Sequence, residues 1–405
     1  MKGTIIHFIK NSFYVLNSVI FSMIFNYFFH LYVSRALGPE EYGIYNTLIS
    51  TATLVILFLG SINLVVAKEV VILDKEKLKD FLHQLLFFIC FFVIILCILL
   101  FSSVKYISSF LHIKDLSLLF ITFLIPITCI FLNGLIGVLQ GLQFFRSFAL
   151  VGFSSQFFRM IWGIFLVSIG YGVAGALLGS VLGFLFALFL AICFLKKYLK
   201  WPFIKFDIQK FKYLMFKNFF YSAYISAFSF LIYIDVPLVK HFFSDYETGL
   251  YSASALLGKV PIWLVGCIRN VLYPKIIEMK KFNQSYFHFY LFVILICFIG
   301  LILCASGFYF LAPIFIKILF GKAYLNAIPL LKLFALTTIP LSLVAIAVNY
   351  ALATENRKFL YLHWICNFGF VFSMYAFHPS VKYAIIWLGL WSSIIFIGSF
   401  FLEKN

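Results

Sequence analysis

Charge is what this sequence has least of. Only 11% of its 405 residues are charged, and acids are the scarcer sign: 14 Asp and Glu against 31 Lys and Arg, a net charge of +17. A soluble domain carries about 25% charged residues. The remainder is 64% hydrophobic and 21% aromatic. That much apolar surface has no place in a water-soluble enzyme, a disordered chain or a fibre, which leaves a polytopic membrane protein. The eight cysteines all fall in apolar stretches, with no CxxC pair, and read as small packing residues. The eight histidines show no metal-ligand spacing, so no metal site is expected.

Long loops are also missing. Twelve apolar stretches near 11–32, 43–66, 85–104, 116–139, 149–169, 172–195, 218–239, 248–273, 289–308, 327–351, 359–377 and 383–402 each approach the roughly 20 residues of a spanning helix. They are too long and unbroken for barrel strands. The longest connection, 196–217, leaves no room for a catalytic domain. The first stretch contains Asn17 and Asn26 and precedes no small-x-small cleavage site, so it reads as a retained helix. The fold class expected is all-α, with about twelve transmembrane helices.

The basic excess sorts by side. With the N-terminus inside, inner segments hold 20 Lys and Arg, among them Lys68, Lys196, Lys275, Arg357 and Lys358, and outer segments hold seven, among them Arg35, Lys240, Lys317 and Lys322. This bias puts both termini in the cytoplasm. The charge then reflects topology and attraction to anionic lipid, and nucleic acid is not an expected partner.

A duplication is visible. Lys10-Asn11-x-Phe13-Tyr14 reappears as Lys217-Asn218-x-Phe220-Tyr221, and Glu41-x-Gly43-x-Tyr45 as Glu247-x-Gly249-x-Tyr251, at offsets of 207 and 206. Six spans per copy is even, so the copies run parallel, related by an axis along the membrane normal. The expected organisation is an N-lobe of helices 1–6 (1–195), a basic cytoplasmic linker (196–217) and a C-lobe of helices 7–12 (218–405). Two such lobes would enclose a central cavity and give alternating access.

Polar residues inside spans narrow the chemistry. Ser18, Ser22, Asn26 and His30 recur at steps of four on helix 1, and Ser222, Ser226, Ser229 and Tyr233 follow on helix 7. They either bond neighbouring helices or line the cavity, and the presence of a stripe in both copies favours the lining. Four cations fall within spans: Arg159 and Lys259 midway, Arg269 and Lys332 nearer the ends. Snorkelling accounts for the latter pair better than for the former. Asp235 is the acid well inside a span. Four cations against one acid describe a positive cavity, suited to a phosphate or diphosphate and poorly suited to a cationic drug.

Two segments carry a family resemblance: Ser34-Arg35-Ala36-Leu37-Gly38-Pro39-Glu40-Glu41-Tyr42-Gly43-Ile44-Tyr45, and Leu319-Phe320-Gly321-Lys322-Ala323-Tyr324 running on to Pro329-Leu330-Leu331. Both resemble signature stretches of Wzx-type polysaccharide and O-antigen flippases of the multidrug/oligosaccharidyl-lipid/polysaccharide (MOP) exporter superfamily. Ile234-Asp235-Val236, Leu139-Gln140-Gly141-Leu142-Gln143 and Asn356-Arg357-Lys358 resemble weaker family patterns in order along the chain. The chain departs from the lipid II branch in stopping at twelve spans, and Gln143-Phe144-Phe145 stands where a basic or Gly-Arg-like residue is common.

The resemblance implies a non-enzymatic flippase of a bacterial inner membrane. It would move undecaprenyl-diphosphate-linked oligosaccharide to the outer leaflet, beside other polysaccharide assembly proteins. On that reading Arg159 and Lys259 bind the diphosphate, Arg35 and Lys332 receive it near the outer side, and Arg269 adds to the positive path. No cofactor is implied beyond a proton or sodium gradient, with Asp235 the residue for coupling. Two rivals remain: a drug/cation antiporter of the same superfamily, which usually needs more acids in its cavity, and a membrane glycan polymerase or ligase, which needs a large catalytic outer loop.

Overall fold

The computed structural model describes residues 2–57, 61–73, 75–198, 208–282 and 285–402, and among these no strand occurs. The helices are α1 (Lys2–Ile56), α2 (Ile62–Ile72), α3 (Lys75–Leu111), α4 (Leu116–Gly141), α5 (Phe145–Leu166), α6 (Gly172–Leu195), α7 (Ile208–Tyr233), α8 (Asp235–Phe242), α9 (Asp245–Gly258), α10 (Val260–Lys281), α11 (Tyr286–Phe315), α12 (Ile328–Thr354), α13 (Arg357–Ala376) and α14 (Val381–Phe401). Among the described residues, nine helical stretches are long and apolar enough to cross a membrane.

Eleven of the twelve sequence spans fall in the nine stretches, two of which divide, and the span at 248–273 is not among them. Tyr14–Ile56 is 43 residues long. At 1.5 Å per residue it would reach about 65 Å, twice the roughly 30 Å hydrocarbon core. It therefore divides, and the break is Gly38, whose φ of 76° and ψ of 177° only glycine adopts readily. Pro39 opens the next segment, where its missing N–H costs nothing. The 51-residue stretch Phe145–Leu195 divides at Gly170, with φ of 95°. The sequence spans at 218–239 and 248–273 are each two helices here, α7–α8 and α9–α10. The second span also runs further than its apolar content suggests, because α2 continues to Ile72 and buries Val65, Val66 and Val70 beside α4.

The chain forms two compact units. One comprises Met1–Leu37 and Thr51–Ser222, the other Gly38–Ser50 and Ala223–Asn405. The division thus falls inside α7, and a thirteen-residue piece of the first repeat is counted with the second unit. In the first unit, Val66, Leu85, Phe88, Ile89, Val138, Leu139 and Ala191 form a core. In the second, Leu272, Ile276, Tyr290, Cys297, Ile346 and Tyr350 form another.

The 38–50 piece is seated in the second unit by its glycine. A Cβ on Gly43 would stand 2.6 Å from the Asp245 carbonyl oxygen and 2.7 Å from the Gly249 nitrogen. A Cβ on Gly249 would intrude on the Pro39 carbonyl. The two copies of the repeated Glu-x-Gly-x-Tyr motif therefore cross at their glycines, backbone to backbone. Around this crossing Tyr42 and Tyr45 are fully buried, and Tyr42 packs edge-on against Tyr324 at 6.4 Å. Ser244 and Glu247 complete a capping box at the start of α9.

Gly249→Ala should lower the unfolding free energy by about 1–3 kcal/mol, the usual cost of overpacking. Gly300→Ala, with nothing within 4 Å of the added carbon, should change it little. Thermal unfolding of the two purified variants makes the comparison.

Candidate functional site

Two buried cations are held by different chemistry. Arg159 lies on α5 in the first unit and is 8% exposed. Its position follows from α6, whose Gly179 and Gly183 press against the Arg159 backbone; a Cβ on Gly183 would lie 2.5 Å from the Ser155 carbonyl oxygen and 2.8 Å from the Arg159 nitrogen. With α6 that close on one side, the side chain turns to α1. Its guanidinium donates to Asn26 Oδ1 at 2.9 Å and Gln156 Oε1 at 3.4 Å, and its Nη2 meets His30 Nε2 at 3.5 Å. It also stands 4.9 Å from the centre of the Phe29 ring. Amides, an imidazole and an aromatic face hold the group in place.

The helix 1 stripe is thereby explained. Ser18 Oγ donates to the Ala149 carbonyl at 2.6 Å and Ser22 Oγ reaches the Gly152 carbonyl at 3.5 Å. With Asn26 and His30 on Arg159, all four stripe residues face α5. The described bonds join the stripe to α5. A step of four fixes the face of a helix and leaves open what that face meets.

The helix 7 stripe divides. Ser222 Oγ meets Ser61 Oγ at 2.7 Å, with Asn218 Oδ1 also accepting from Ser61. Ser226 donates to Ala223 of its own helix. Ser229 and Tyr233 are half-buried. Nearby, α13 grips the same helix: Trp364 Nε1 donates to the Ala223 carbonyl at 3.3 Å and Asn367 Nδ2 to the Ala227 carbonyl at 2.8 Å.

Lys259 and Asp235 occupy two helix breaks of the second unit, and the breaks create their bonds. Pro261 removes one amide donor after Lys259, and Ile262 N turns to the Lys259 carbonyl at 3.2 Å. The Gly258 carbonyl is taken by the Thr338 hydroxyl of α12. At the α7–α8 break, Val236 N donates to Asp235 Oδ1 at 2.9 Å. The Ile232 carbonyl accepts from Lys259 Nζ at 2.6 Å. The same ammonium bonds Asp235 Oδ2 at 2.6 Å, and the Tyr251 hydroxyl donates to that oxygen at 2.7 Å. In hydrocarbon a freed carbonyl must find a donor within the protein. Here one buried lysine satisfies both the carbonyl of one break and the carboxylate beside it.

The sequence reading treated Asp235 and Lys259 as separate agents, coupling and binding; the structure brings them together. Tyr251 was passed over as a partner, although it lies two turns before Lys259 on the same helical face and in the repeated motif. The other residues are apart from these clusters. Arg35 is exposed three positions before the Gly38 break. Lys332 is half-buried, its ammonium 5.3 Å from the centre of the Tyr309 ring. The Arg269 side chain lies outside the described residues. Lys240, counted in the sequence among the cations of the outer segments, is buried and paired with Asp245.

Lys259→Met should lower the unfolding free energy by about 3–5 kcal/mol, because it strands a buried carboxylate. The shift in thermal midpoint of the variant against the native chain reads the loss.

Comparison with known proteins agrees with this architecture. No curated protein sequence matches the chain. Among solved structures, an inward-facing multidrug resistance MATE family transporter of the MOP superfamily matches with a TM-score of 0.75 at 14% identity, over 94% of this chain and 93% of that one. The lipid II flippase MurJ in an inward closed conformation matches with a TM-score of 0.75 at 19% identity, over 96% and 86%. A MOP superfamily transporter from Pyrococcus furiosus, described by a binding pocket of reversed polarity, matches with a TM-score of 0.59 at 14% identity, over 98% and 96%. These likenesses show a shared fold. Residues 8–280 match the family described as polysaccharide biosynthesis protein. With two thirds of its length matched, this multi-pass membrane chain belongs to the polysaccharide biosynthesis protein family and has the fold of MOP superfamily transporters.

Proposed function

We propose that this chain is a flippase that moves a polyprenyl-diphosphate-linked oligosaccharide from the cytoplasmic to the outer leaflet of a bacterial inner membrane by alternating access, for assembly of a surface polysaccharide. The observation that carries the reading is Arg159: a guanidinium buried within a span of a polysaccharide biosynthesis family member, held by amide oxygens and an aromatic face. A guanidinium presents a planar fork that matches phosphate oxygens. The similarity to a lipid II flippase supports a lipid-linked cargo.

In this reading Arg159 and Lys259 each engage the diphosphate. Lys259 is shared with Asp235 before cargo arrives. A diphosphate offers that ammonium more negative charge than one carboxylate, and its arrival draws Lys259 away. Asp235, left without its cation in a dry site, then takes up a proton or a sodium ion. That exchange would tie cargo to an ion gradient. Arg35 and Lys332 serve the outer part of the path, and Ser229 and Tyr233 meet sugar hydroxyls.

The test is reconstitution in liposomes with a fluorescent undecaprenyl-diphosphate oligosaccharide in both leaflets and a quencher outside. The protein should make the inner pool accessible, and Arg159→Gln should cut the rate at least tenfold while remaining in the membrane. Equal rates for native protein and variant would overturn the assignment of Arg159. No protein-dependent movement, together with efflux of organic cations, would replace the flippase with an antiporter.

A further inference from the structure

One cavity lies far from both cation clusters in sequence and shares no residue with them. It has a volume of about 740 Å³ and sits in the second unit where α11 begins, α12 ends and α13 begins. Loop charge assigns this end to the cytoplasm. Its wall includes Tyr286, Tyr350, Glu355, Asn356, Arg357 and Lys358.

The wall is constructed rather than incidental. Tyr350 stacks on the buried Tyr290 with ring centres 4.0 Å apart, and Tyr286 lies 6.2 Å from Tyr350. Glu355 takes a left-handed φ of 58°, which ends α12 and turns the chain. Asn356 is fixed at the turn: its Oδ1 accepts from Phe359 N at 3.1 Å and its Nδ2 donates to the Leu402 carbonyl at 3.3 Å. The turn delivers Arg357 and Lys358 to the first two positions of α13. Among the described residues neither makes an ion pair, and Glu355, though in the same wall, pairs with neither. Two cations outside any described ion pair, Arg357 and Lys358, thus line one cavity together with Tyr286, Tyr350 and the single acid Glu355.

We infer that this cavity binds a phosphate group at the cytoplasmic end of the second unit. Arg357 and Lys358 form charge-assisted bonds to the phosphate oxygens, and the tyrosines flank the group. The phosphate comes from an anionic lipid headgroup or from a soluble diphosphate. The site does not depend on what the chain transports, since neither Arg159 nor Lys259 lines it.

The detergent-solubilised full chain, titrated with dioctanoyl phosphatidic acid and with dioctanoyl phosphatidylcholine, tests this by native mass spectrometry. The chain should hold one more phosphatidic acid than phosphatidylcholine. Arg357→Gln with Lys358→Gln should weaken that binding at least tenfold, Lys358→Gln alone should weaken it about threefold, and Lys382→Gln, exposed elsewhere on the unit, should not change it. Inorganic pyrophosphate displacing the lipid at the same site would identify a soluble phosphate ligand; failure to displace it would identify the headgroup. Equal binding of the two lipids, or unchanged phosphatidic acid binding in the double variant, would overturn the site.

Discussion

A charge held away from water must find its counterpart inside the protein, and the Asp235–Lys259 pair shows what that requirement does to a membrane chain. The ammonium sits 2.6 Å from both a carboxylate oxygen and the carbonyl of Ile232. Removing either charge leaves the other with a desolvation penalty of several kcal/mol. The pair joins the α7–α8 and α9–α10 breaks. Each break exposes backbone groups: Lys259 satisfies the Ile232 carbonyl of the α7–α8 break, and Asp235 the Val236 amide of its own. The pair is thus built on the two breaks, with Asp235 and Lys259 standing at one each.

The same economy governs the helices that do not break. Where hydrophobic attraction between helices is weak, close backbone approach does the packing. Gly179 and Gly183 bring α6 onto α5 and leave Arg159 one direction to take, toward Asn26 and His30. Gly43 and Gly249 do the equivalent for the two repeat motifs. The duplicated Glu-x-Gly-x-Tyr sequence is thus more than a trace of ancestry, because its two glycines are each other's contact. Tyr251, in the second copy, extends from that crossing to Asp235. A line of packing joins the motif crossing to the buried ion pair.

Much of this was legible in the sequence. Composition required helices in a membrane, and the twelve apolar stretches located them. Arg159, Lys259 and Asp235 were singled out because ionisable groups within spans are rare and costly. What periodicity could not supply was partnership. The Ser18 to His30 stripe does share one face, but its meeting with α5 is a tertiary contact that periodicity does not carry. Asp235 and Lys259 are separated by 24 positions and the turn between α8 and α9, so no helical spacing relates them. Lys240 fell in a short connection, where lysine is normally solvated, and its burial depends on Asp245 five residues on. The Gly38 break was readable from Gly-Pro, whereas the membership of 38–50 in the second unit depends on a contact some 200 residues away.

The central claim is that Lys259 serves cargo as well as the fold. The double variant Asp235→Asn with Lys259→Met decides it, because removing both charges together spares the chain a stranded ion. Unfolding and lipid flipping would be measured on the same preparation. The account predicts a thermal midpoint near that of the native chain together with loss of flipping. Flipping at the native rate in a stably folded double variant would contradict it and leave the pair a purely structural bond.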